Sequence, residues 1–216
     1  DDDLSNENFK FGTSKKIKIN EKEILAIRLS YVGELGFELY IKMNESKEVY
    51  NLIVNAGKEF NLSHCGMFAM DTMRMETGYL HWGHDISPEE NQYQAGLQFT
   101  ISYKKNVDFI GKESLLKIKD KKKNRKLVML TLNDSKPGEP LLLHDEPIYD
   151  KKGIIGRTTS GNYSFNFNKN LAFGYVNSEL SNEDLSKQEL FIEVEKKKYA
   201  ATLILKPLNS KNIRII

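Results

Sequence analysis

The sequence contains a single cysteine, Cys65. One thiol excludes an internal disulfide, so a reducing compartment is the simplest expectation. Cys65 stands between His64 and Gly66-Met67, a setting that reads as a small core residue and not as a nucleophile. Long apolar runs are missing too: no stretch approaches the roughly 20 residues needed to span a bilayer, so nothing argues for a membrane protein. Neither sign of charge is in excess. Basic and acidic side chains number 32 and 30, a net +2, without the basic face that marks nucleic-acid binders. The opening Asp1-Asp2-Asp3, running straight into Leu4-Ser5-Asn6, shows no targeting pattern and is expected of a processed chain or a fragment whose N-terminus lies upstream. No internal repeat or low-complexity tract stands out, and the lysine triplets at 121–123 and 196–198 read as solvated turns. What is present is 216 residues, 39% of them hydrophobic, enough for one large domain or two small ones.

The first half alternates strand and helix patterns. Residues 24–41 read as two strands joined by a turn that Gly33 and Gly36 bracket. Asn44 and Ser46 are candidate caps for a helix carrying Val49, Leu52, Ile53 and Ala56 at helical spacing. A second helix is predicted over 68–77 with Gly78 as its stop, and a short third one over 111–118. Strand, strand, helix suggests an α+β layer in which the helix covers one face of an antiparallel sheet. From Lys126 onward the pattern changes to short strands, at 127–132, 153–159, 171–176, 190–194 and 199–205. Asp150 to Gly153 and Glu195 to Lys198 read as hairpin connections. Such a series predicts a small β-barrel or sandwich. The expected division is therefore an α+β domain over 1–120 and a C-terminal β-barrel domain over 126–216, with the boundary at 120–125.

Four segments, in order, carry a family resemblance: Leu29-Ser-Tyr-Val-Gly-Glu-Leu-Gly-Phe-Glu-Leu-Tyr40; Gly66 to Asp85, ending Gly-Tyr-Leu-His-Trp-Gly-His-Asp; Ala95-Gly-Leu97 with Asp108-Phe-Ile-Gly-Lys-Glu113; and Thr158 to Ser164 with Lys169 to Val176. This ordered set resembles the glycine-cleavage T-protein (aminomethyltransferase) superfamily, and the wording of the first two segments looks closer to its dimethylglycine and sarcosine dehydrogenase branch. The resemblance implies the later part of a folate-binding α+β domain followed by a small barrel, the preceding lobe lying upstream. It implies tetrahydrofolate as cofactor, and FAD in the parent protein outside this chain. The module would take up the carbon removed from a methylated glycine as 5,10-methylenetetrahydrofolate. The alternatives are a glycine-cleavage T-protein or a non-catalytic folate-binding scaffold. Expected partners are the small-molecule substrate and a missing N-terminal lobe or flavin domain, with no nucleic acid and no membrane. The expected location is cytoplasmic, or the mitochondrial matrix in a eukaryote.

By the same resemblance, Tyr31 and Glu38 fall on pterin-contacting positions and Arg74 on a folate-contacting arginine. The chemistry fits: a pterin presents an N–H and an amino group side by side, a pair one carboxylate accepts bidentately. A tyrosine ring offers stacking and a hydroxyl, and arginine a planar fork of donors. Other readings of the same residues stay open. Glu38 would simply face solvent from a half-buried strand, Tyr31 would be a turn aromatic, and Arg74 would pair with Glu76 or another carboxylate. The family's catalytic aspartate would lie upstream of Asp1, so no catalytic residue is assigned. Two histidines and a carboxylate at His81, His84 and Asp85 are too short a motif for a defined zinc set, and no metal is expected. The chain departs from the family pattern at Gln94 and in Lys206-Pro-Leu-Asn209.

Overall fold

The computed structural model describes residues 2–121 and 124–209. They form two compact units, one of residues up to Thr77 joined by Asn209, the other Gly78–Leu208.

The first unit is built on an antiparallel sheet ordered β1 (Ser14–Ile19), β2 (Lys22–Ile27), β3 (Glu38–Tyr40). β1 and β2 are joined by the two-residue turn Asn20-Glu21, both left-handed at φ 46° and 65°, the conformation whose twist matches a hairpin. Side chains alternate across the sheet. Ile17, Ile24 and Ala26 point inward and are buried, together with Phe9 and with Val49 of α1 (Met43–Gly57). Leu39, Ile41 and Ile53 pack against that cluster. α1 therefore covers one sheet face, as the strand and helix patterns require. β1 was not anticipated, and the predicted turn between the later strands is a longer loop over 28–37. The anticipated caps of α1 are replaced by Lys42, which makes no side-chain cap hydrogen bond, while Ser46 donates to Met43 O. A single 3₁₀ turn, Lys58–Phe60, follows α1. α2 runs Met67–Glu76, and Gly78 beyond it is left-handed at φ 80°, as a stop requires. Cys65, expected in the core, is exposed. It sits in the irregular connection 61–66, every residue of which is exposed.

The second unit contains α3 (Lys112–Lys119) and a closed six-stranded antiparallel barrel, in the order β4 (Arg125–Leu132), β7 (Lys169–Asn177), β6 (Gly153–Ser164), β5 (Pro147–Asp150), β8 (Leu190–Val194), β9 (Lys197–Ile204). α4 is one turn, Asn182–Leu185, capped by Ser181. Closure leaves the sheet no free edge. The interior is filled by alternate residues, including Val128, Leu130 and Leu132 of β4 and Leu190, Ile192 and Val194 of β8. The fold is α+β with a terminal barrel, as the pattern predicts. β7 departs from alternation, since Asn170 to Val176 are all buried. Tyr175 is covered on the outer side, where its hydroxyl donates to Asp85 O at 3.0 Å. Segment 78–121, grouped with the preceding residues by sequence, belongs to the same compact unit as the barrel. Where β6 passes β7 the backbones come so close that a Cβ at Gly156 would lie 1.9 Å from Tyr175 O.

Candidate functional site

The loop over 28–37 begins at Arg28, which is 1% exposed and donates to Phe9 O at 2.7 Å and to Asn6 Oδ1. Ser30 Oγ accepts from the backbone of Val32 and of Glu34, each at 3.3 Å, curling the loop on itself. Both motif glycines have a steric reason. Gly33 is left-handed at φ 70°, and a Cβ there would sit 2.1 Å from Thr77 Oγ1 and 2.7 Å from Asn209 Nδ2. A Cβ at Gly36 would lie 2.8 Å from Leu29 O. Asn209 ties the arrangement together: its amide nitrogen donates to Glu76 O at 2.8 Å, and its side chain to Thr77 Oγ1 at 3.2 Å.

All three candidate ligand residues fall in this unit. Tyr31 rides on the loop, half-buried. Glu38 opens β3 opposite Ile27, with Tyr40 opposite Leu25. The register puts Glu38, Tyr40 and Leu25 on the sheet face away from α1, where all three are exposed. Tyr40 donates its hydroxyl to Glu38 Oε2 at 3.1 Å. That hydrogen bond, with the carboxylate's charge, raises the Tyr40 phenol above its usual 10.0. Leu29 and Leu35 of the adjoining loop are exposed as well. The result is a carboxylate on an open surface where apolar Leu25 and Ile27 adjoin the Lys16–Glu23 ion pair, with one aromatic hydroxyl beside it. Arg74 is placed differently. It is 1% exposed on α2, and its Nε and Nη2 both meet Asp71 Oδ1, at 2.7 and 2.6 Å. Its partner is therefore Asp71, one turn earlier, and its fork is engaged inside the unit.

The second unit holds a site that the sequence reading named only as part of a histidine cluster. Asp85 is 0% exposed. Its Oδ1 accepts from Thr159 Oγ1 at 2.5 Å and Ser160 Oγ at 2.8 Å, and its Oδ2 from the backbone of His81 at 2.9 Å. Adjacent strand residues normally point to opposite faces. Here the register with β7 slips between Thr158 and Ser160, and this bulge turns both hydroxyls onto one oxygen. The loop so fixed presents Trp82, 65% exposed, and the mutually tilted rings of His81 and His84, their centres 4.5 Å apart, with His144 a further 6.3 Å from His84. Among the described residues no group of three metal-ligating side chains could hold an ion. The missed signal was the bulge, which no periodicity announces.

Glu90 is nearby in sequence. Burial alone would push its carboxyl up, but Ser87 and Arg125 outweigh that and hold it below the usual 4.5. Ser87 Oγ donates at 2.7 Å and Arg125 at 2.8 Å. The same guanidinium lies 4.0 Å from the centre of the Tyr175 ring, a cation–π contact.

This architecture, a strand–loop–helix layer followed by a closed barrel, is that of a one-carbon-transfer family. The GCVT N-terminal domain matches residues 1–105, and the glycine cleavage T-protein C-terminal barrel domain matches 125–209. The chain belongs to the glycine-cleavage T-protein (aminomethyltransferase) superfamily. It is 40% identical to dimethylglycine dehydrogenase, mitochondrial, of Rattus norvegicus, over 96% of this chain and 24% of that protein. It is 34% identical to sarcosine dehydrogenase, mitochondrial, of Mus musculus, over 100% of the chain and 24% of that protein. It is 38% identical to the aminomethyltransferase of Halothermothrix orenii, over 81% and 46% respectively. The crystal structure of the glycine cleavage system aminomethyltransferase T from Bartonella henselae superposes with a TM-score of 0.73 at 25% identity, covering 86% of this chain and 49% of that one. The chain thus spans about a quarter of the length of the two dehydrogenases.

Proposed function

We propose that this chain is the tetrahydrofolate-binding part of a flavin-dependent dimethylglycine or sarcosine dehydrogenase, and that it receives the carbon removed from a methylated glycine. The observation that carries this reading is Glu38. Its carboxylate stands on an exposed sheet face beside Tyr40 and near Leu25 and Ile27, with Tyr31 on the adjoining loop. A planar heterocycle with a donor–donor edge suits such a surface: the ring covers the apolar side chains while the carboxylate accepts two hydrogen bonds. Charge-assisted bonds of this kind orient as well as bind. Tyr31 supplies a ring or a hydroxyl to the pterin. Arg74, buried on Asp71, contributes by holding α2 and Asp71 in place, and meets folate directly only if Asp71 gives way.

When bound, tetrahydrofolate supplies the nitrogens that take up the one-carbon unit as 5,10-methylenetetrahydrofolate. The protein's share is proximity and exclusion of water from a reactive fragment. FAD would belong to another part of the longer polypeptide, as would the catalytic aspartate. The dehydrogenase branch is favoured because the identity to dimethylglycine dehydrogenase, 40%, extends over 96% of the chain, against 38% over 81% for an aminomethyltransferase. The mitochondrial dehydrogenases of that branch support a matrix setting in a eukaryote.

The test is product partition in the longer enzyme. Demethylation of dimethylglycine with tetrahydrofolate present should release markedly less free formaldehyde than without it. Equal release in both would contradict the capture role, and activity only with a lipoyl-bound aminomethyl donor would move the assignment to the T-protein reaction.

A further inference from the structure

We propose that residues 97–121 form a peripheral docking surface for an anionic lipid bilayer. Throughout this stretch not one residue is buried, and α3 within it has no buried side chain. Yet the stretch is rich in large apolar groups. Phe99 is 80% exposed, Val107 72%, Ile110 105% and Leu116 47%. Apolar surface of this extent on one continuous segment marks a contact site.

Charge selects the occupant. The near-neutral total of the chain hides an uneven distribution, since residues 97–121 hold six lysines against three carboxylates. Lys104 and Lys105 precede Val107, and Lys112 follows Ile110. Lys119 lies 5.3 Å from the centre of the Tyr103 ring and Lys112 6.0 Å from that of Phe109. It is their ammonium groups that lie over the rings, Lys112 Nζ also standing 3.5 Å from Asp108 Oδ1, and the long flexible stems of such lysines let an ammonium reach a polar layer beside apolar neighbours. A second copy of the chain would bring lysines against lysines. A nucleic acid would gain nothing from the aliphatic tips of Val107 and Ile110, which have no ring to stack on a base. An anionic bilayer satisfies both halves of the surface, with headgroup phosphates for the ammonium groups and the acyl boundary for the apolar tips. The contact is superficial, because no helix of the described residues is long and apolar enough to cross a membrane.

The experiment is co-sedimentation of the 216-residue chain with vesicles of phosphatidylcholine alone, and with about 30% phosphatidylglycerol added. Binding to the anionic vesicles should exceed binding to neutral ones by about tenfold. It should fall steeply near 1 M salt, where screening shortens to about 3 Å. Combining Val107→Ser with Ile110→Ser should leave thermal unfolding unchanged, because both side chains are exposed, and should reduce anionic-vesicle binding by about tenfold. Lys104→Gln with Lys105→Gln should abolish the preference for anionic lipid. An unaltered bound fraction in the serine variant would overturn the proposal. So would absence of the chain from both pellets, an outcome that assigns the segment to a polypeptide partner instead.

Discussion

At the scale of single residues, the unit that contains the barrel depends on how one buried carboxylate is satisfied. Taking Asp85 out of water is unfavourable unless donors replace the lost hydration, and Thr159, Ser160 and the His81 amide do so. Asp85→Ala leaves two hydroxyls without their acceptor and should destabilise this unit by roughly 3 kcal/mol, while Asp85→Asn, which keeps one acceptor oxygen, should lose roughly 1 kcal/mol. Urea unfolding followed by fluorescence checks this directly, since Trp82 is the sole tryptophan of the chain and sits on the loop Asp85 holds. Wild-type midpoints in both variants would contradict the account. Glu90 adds a pH dependence. Its folded carboxyl is held below 4.5, so its stabilising contribution is present above that value and is lost as pH falls through the lowered one. Glu90→Gln should flatten the acid limb of the stability profile below about pH 4.5 and reduce stability at neutral pH.

At the scale of elements, the legible parts were those with strong periodicity. α1 and α2 were marked by apolar spacing and by Gly78, and β8 by the short apolar run Leu190-Phe-Ile ahead of the turn at 195–198, its burial then alternating along the strand. β1 was missed because Ser-Lys-Lys-Ile-Lys-Ile offers only two apolar positions amid lysines, too little for a pattern of period two to stand out. β5 was missed because it is four residues long and opens on proline. The start of α1 shows where local chemistry and outcome part: polar cap candidates were present at Asn44 and Ser46, but the chain bends into the helix two residues before the first of them, at Lys42. Lys42→Asp should therefore stabilise the first unit by about 1 kcal/mol, by supplying both the missing acceptor and a negative charge at the helix start. A lower melting temperature in this variant would show that Lys42 does something the cap does not replace.

At the scale of the whole molecule, two compact units carry separate cores, one around Ile17, Ile24 and Val49 and one inside the barrel. Fold class was readable because helix-rich and strand-rich patterns occupy different halves of the sequence. The site was readable only in part. Gly36 and Glu38 of the first motif are local, and the constraint on Gly36 comes from Leu29, a near neighbour in the chain. The contact of Asn209 with Gly33 and Thr77, and the meeting of Asp85 with Thr159 and Ser160, join residues far apart in sequence. Neither is visible without the fold. Arg74 illustrates the same limit, since its position in a motif does not reveal that its guanidinium is buried on Asp71.

The central claim is that Glu38 anchors a pterin, and calorimetric titration of tetrahydrofolate into the wild-type chain and Glu38→Gln tests it most directly. Glu38 is exposed on an edge strand, so the substitution should leave folding intact. The account predicts binding by the wild type and about a hundredfold weaker binding by the variant, a difference of about 3 kcal/mol. Equal affinities, or no binding by a folded wild-type chain, would contradict it.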